Sequence, residues 1–131
     1  MRSVKDVEAY LGRLNRGFEV VEGKEGMFLV HTSPNMPPIA VRVDSLLVVF
    51  RVHIGDAPKK DHGALFRRLL ELNAKSLVHS SFGLEDERIV LCSALELENL
   101  DFNELEATLD EIDLTLAQQV PVLSELSKTP S

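Results

Sequence analysis

Apolar residues first recur at helical spacing, at Val4, Val7, Leu11 and Leu14, behind a Ser3/Asp6 pair suited to opening a helix. Asn15-Arg16-Gly17 supplies the stop, with Gly17 free to adopt positive φ. The period then changes. Residues 18–22, 27–32 and 39–43 are short β-branched or alternating runs. They are separated by the turn Gly23-Lys24-Glu25-Gly26 and by Ser33-Pro34-Asn35-Met36-Pro37-Pro38, whose prolines preclude regular structure. Residues 46–54, LLVVFRVHI, are apolar on both faces in their first half, which predicts a central strand. A second helical face follows at Leu65, Phe66, Leu69, Leu70 and Leu72, broader than one sheet face needs. Residues 77–84 and 89–97 flank the acidic turn Glu85-Asp86-Glu87-Arg88 as a hairpin. Asp101 and Glu104 then form a capping box, with Leu100 and Leu105 at the staple positions. Leu105, Leu109, Ile112, Leu116, Val120 and Leu123 carry one buried stripe. Pro121 is expected to kink or end that last helix near Gln118.

The predicted order is α-ββββ-α-ββ-α. Strands that arrive as hairpins imply an α+β fold, an antiparallel sheet with helices, and not a parallel α/β one. At 131 residues the chain suits one domain, expected over 1–126 with a frayed tail at 127–131.

Charge is unevenly spread. Residues 1–88 carry 13 Lys+Arg and 12 Asp+Glu, a net of +1, and residues 89–131 carry 1 Lys and 9 acids, a net of −8; together these give the chain's −7. An acidic C-terminal third repels phosphate, so neither nucleic acid nor an anionic membrane is an expected partner. Aromatic residues make up 5% of the chain and Trp is absent, which leaves few stacking platforms for single strands. No run is long enough for a membrane span and the N-terminus lacks an apolar signal core, so a cytoplasmic protein is expected.

Catalytic and metal constellations fail on spacing. His31, His53, His62 and His79 show no metal-ligand spacing. Cys92, the lone cysteine, sits in an apolar run that blunts a thiol. Ser80-Ser81 has no nucleophile elbow, Gly23–Gly26 is too short for a phosphate loop, and Glu85-Asp86-Glu87 lacks the spread of a calcium loop. No catalytic residue, metal or cofactor is therefore expected.

The Leu-rich helix ending in Leu72-Asn73-Ala74, followed by Ser76-Leu77, a hairpin with Phe82 near its tip, the return strand Val90-Leu91-Cys92-Ser93 and an acidic helix, resembles the YbjN family of sensory transduction regulators. More distantly it resembles the type III secretion chaperones of the Tir type. The resemblance implies a non-enzymatic regulatory or chaperone-like role, and a structural role for Asn73. At the helix end the Asn73 amide could cap carbonyls or take left-handed geometry. Secretion chaperones are homodimers that bind an extended effector segment on apolar patches. The residues and the resemblance together predict a protein-binding module, a homodimer using Leu65, Phe66, Leu69 and Leu70 as its interaction surface. The alternative is a small ligand-binding domain or enzyme whose site forms only in three dimensions.

Overall fold

The computed structural model describes residues 2–127. It contains α1 (Val4–Arg13), β1 (Phe18–Val20), β2 (Met27–Val30), β3 (Ile39–Asp44), β4 (Leu47–Asp56), α2 (Gly63–Lys75), β5 (Ser80–Glu85), β6 (Arg88–Glu96) and α3 (Phe102–Ser127). The order is the α-ββββ-α-ββ-α read from the sequence. The strands form one antiparallel sheet in the order β1-β2-β3-β4-β6-β5. β4, the longest apolar run, lies inside the sheet between β3 and β6. Of the expected tail, 128–131 lies outside the described residues.

Alternation along the strands divides the sheet into two unlike faces. Phe28, Val30, Ile39, Val41, Val48, Phe50, Val52 and Leu91 are buried in one core with Val7 and Leu11 of α1, Leu65, Leu69 and Leu72 of α2, and Leu105, Leu109, Ile112 and Leu116 of α3. The alternate residues, among them Met27, Leu29, Ala40, Val49, Arg51 and His53, line an open hollow of about 490 Å³ on the other face.

Local chemistry sets the element ends. Ser3 N–H donates to the Asp6 carboxylate at 2.8 Å and opens α1. Gly17 follows α1 but does not take positive φ. Its Cβ would stand 3.0 Å from Cδ2 of His31, so it is close approach that favours glycine there. Positive φ falls instead at Gly23 (81°) and Gly26 (75°), between β1 and β2. The hairpin strand expected from residue 77 begins only at Ser80, because side-chain acceptors take up the backbone before it.

α3 does not stop near Gln118. It runs through Pro121 to Ser127. Proline removes one backbone donor, but Leu123 beyond it is buried, and Val120 and Leu126 pack on the core. Tertiary burial outweighs the missing bond. At the other end, Glu104 N–H donates to the Asp101 carboxylate at 2.8 Å, and Asp101 N–H donates to the Glu104 carboxylate at 3.2 Å. Buried Leu100 and Leu105 close the staple around them. Asp101→Ala should therefore cost about 1 kcal/mol in a denaturant titration, through a first-turn N–H left without its acceptor. A midpoint unchanged from the parent would show that water replaces the cap in full.

Candidate protein-binding groove

α2 turns two stripes in different directions. Leu65, Leu69 and Leu72 point into the core. Phe66, Leu69, Leu70 and Asn73, at i, i+3, i+4 and i+7, face the outer strand β5 and form one wall of a groove of about 200 Å³. Phe82, Gly83 and Leu84 of β5 form the other wall. Leu70 is 68% exposed and Leu84 53%, so the rim is apolar and wet. The His62 ring stacks on Phe66 at 4.3 Å and braces its half-buried side chain.

The four residues expected to form an interaction surface thus separate. Phe66 and Leu70 line the groove with exposed or half-buried side chains, and Leu69 closes its floor at 7% exposure. Leu65 is fully buried and offers no surface, a correction that follows from its place on the core stripe of α2.

Asn73 is neither a helix cap nor a left-handed residue. It lies within α2, and its amide acts as a substitute strand. Its carbonyl oxygen accepts from Phe82 N–H at 2.7 Å and its nitrogen donates to the Phe82 carbonyl at 3.1 Å. β5 is an edge strand, and Phe82 turns these groups away from β6, where a further strand would pair.

Glu111 of α3 treats the start of the same edge alike. Its carboxylate accepts from the N–H groups of Val78 and His79 at 3.1 Å, from Ser80 N–H at 3.3 Å, and from the Ser80 hydroxyl at 2.9 Å. Burial opposes the charge, but the Ser80 hydroxyl and the three backbone donors outweigh it and hold the carboxyl below the usual carboxylate range. Side chains of α2 and α3 therefore engage backbone groups at 78–80 and 82, along the start and outer edge of β5 and beside the apolar groove.

His31 lies 3.3 Å from Glu19 and His53 3.9 Å from Glu85, in separate pairs. Glu85, at the hairpin end, also pairs with Arg51 at 2.7 Å on the open face of the sheet. Cys92 is partly buried on β6 in register with Arg51. The Ser80 hydroxyl donates to the Glu111 carboxylate, which is already engaged by three backbone N–H groups. Among the described residues, no group of three or more His, Cys, Asp or Glu side chains could hold a metal ion. Nor is any helix long and apolar enough to cross a membrane. Nothing in the sequence marks Glu111 for its role, since it is one acid among several on an acidic helix and its donors lie more than 30 residues away.

A comparison with curated proteins found no match. The CesT_Tir_1 family model matches residues 1–129. Among solved structures, a chain of the heterodimeric ExoU–SpcU complex from the type III secretion system of Pseudomonas aeruginosa superimposes with a TM-score of 0.69. The match has 18% identity and covers 88% of this chain and 95% of that one. YbjN of E. coli, described as a candidate transcription regulator, gives a TM-score of 0.64 at 14% identity over 89% of this chain and 93% of that one. At these identities the likeness is one of fold.

Proposed function

The chain belongs to the CesT_Tir_1 family, that of type III chaperones, and from that premise we propose that it is a non-enzymatic, chaperone-like module that binds polypeptide and forms a homodimer in the cytoplasm. The groove between α2 and β5 carries this reading. Its rim exposes Leu70 and Leu84, with Phe66 half-buried beside them, and isolated monomers gain nothing from holding such side chains in water. A second copy of α2 laid against it would bury them. The ExoU–SpcU neighbour, itself a heterodimeric complex, supports a protein as the partner.

Chemistry points the same way. A hydrolase or transferase of this size would need a nucleophile beside a base, a metal set or a phosphate cradle. The carboxylate beside Ser80 is engaged by three backbone N–H groups, and among the described residues no group of three or more His, Cys, Asp or Glu could hold a metal ion. Calorimetry with peptides selected from a display library tests the reading. Binding should show a negative heat-capacity change, the mark of apolar burial, and should weaken only modestly with salt. An activity screen that found turnover abolished by changing His53, His79 or Cys92 would overturn it.

A further inference from the structure

The β3–β4 turn carries a surface unlike the α2–β5 groove. Leu46 is 62% exposed and Leu47 42% exposed. A tight turn is ordinarily built from Gly, Asn, Asp or Ser, and Ser45 here supplies the left-handed residue at φ 58°. Nothing in the turn's geometry calls for two leucines after it. The turn is also well anchored. The Leu46 carbonyl accepts Leu97 N–H at 2.9 Å, and Leu97 and Leu100 are rooted in the core. The leucines are thus presented on a fixed frame.

Carboxylates surround them. The register Asp44↔Leu47↔Glu96 sets three side chains in one row across β3, β4 and β6. With Ser45, Leu46 and Glu98 they line an open hollow of about 640 Å³. Arg42 neutralises Asp44 at 3.0 Å. Glu96 and Glu98 have no ion-pair partner among the described residues. Two unneutralised carboxylates therefore flank two exposed leucines.

We propose that this turn is a docking surface for a basic amphipathic segment of a partner protein. An aliphatic side chain of the segment would rest on Leu46 and Leu47, and Lys or Arg residues beside it would meet Glu96 and Glu98. Charge selects this occupant. A nucleic acid would bring phosphates to carboxylates, and a second copy docked symmetrically by the same turn would bring Glu96 and Glu98 against their own equivalents. The proposal rests on the polypeptide-binding reading and adds to it a second surface and the chemistry of what it takes.

An amide NMR titration of the full chain tests it, with a synthetic peptide of alternating Leu and Lys and a counterpart of alternating Leu and Glu. The Lys peptide should shift residues 45–47 and 96–98, and the Glu peptide should not. Glu96→Lys combined with Glu98→Lys should weaken the Lys peptide by about tenfold or more, and Leu46→Ser should weaken it without altering the spectrum elsewhere. Both sites are exposed, so the variants should fold. Equal binding of both peptides would overturn the proposal, as would Lys-peptide binding unaffected by the double variant. Shifts confined to residues lining the α2–β5 groove would overturn the turn as a docking surface while leaving the polypeptide-binding reading intact.

Discussion

Leu109→Ala should lower the free energy of unfolding by about 2–5 kcal/mol. Leu109 is fully buried in the first half of α3, on the stripe that includes Leu105, Ile112 and Leu116. Truncation removes the transfer free energy of the lost methyl groups. It also leaves a cavity, which a long helix held at both ends cannot readily collapse. The comparison is Leu114→Ala, on the same helix but 58% exposed, which should change stability by no more than about 0.5 kcal/mol. Denaturant titrations of the two variants read the difference directly. Equal, negligible effects would mean that α3 is not docked on the sheet.

Glu111 should give the second large effect, and a distinctive pH dependence. Glu111→Ala leaves three backbone N–H groups and the buried Ser80 hydroxyl without their acceptor, at a cost of about 1–3 kcal/mol. The donors at Val78 and His79 are exposed and can turn to water, which keeps the figure within that range. The folded-state pKa of Glu111 is lowered from an ordinary value of 4.5. Its contribution is therefore present in full above that ordinary value and is lost as pH falls through the lowered folded value. Between the two values the unfolded chain binds the proton and the folded one does not. Glu111→Gln should be less stable than the parent at neutral pH, and the gap should narrow on acidification through that window. A gap constant from neutral pH to well below 4 would show that the charge contributes nothing.

Much of the fold was legible in the sequence because its elements are locally consistent. The Asp101/Glu104 pair with its leucine staple marks the start of α3, and the run from Leu46 to Ile54, apolar on both faces in its first half, identifies a central strand. What was not legible depends on contacts between distant segments. Pro121 reads locally as a helix end, yet Leu123 and Leu126 pack beyond it and hold the helix together. Gly17 reads as a backbone-freedom glycine, yet its constraint is a close approach, since a Cβ there would stand 3.0 Å from the His31 ring. The candidate surface on α2 was visible as an excess of leucines, but the helical phase that sends Leu65 inward and leaves Leu70 outside could be fixed only once the sheet was in place. Asn73 and Glu111 were the least legible. Each serves a strand edge through a side chain, and nothing in local sequence distinguishes an amide or carboxylate so used from one facing water.

Static light scattering over a range of protein concentrations, on the parent chain and on Leu70→Asp, tests the role of the α2–β5 groove most directly. Leu70 is the better site for the charge, since Phe66 packs partly on the core whereas Leu70 stands in solvent. The parent should scatter as twice the 14.6 kDa chain. Leu70→Asp should scatter as a single chain with an unchanged circular dichroism spectrum, because a charge there disrupts an interface without entering the core. A parent that remains a single chain up to high concentration, or a Leu70→Asp variant that remains a dimer, would contradict the assignment of the groove as a homodimer interface.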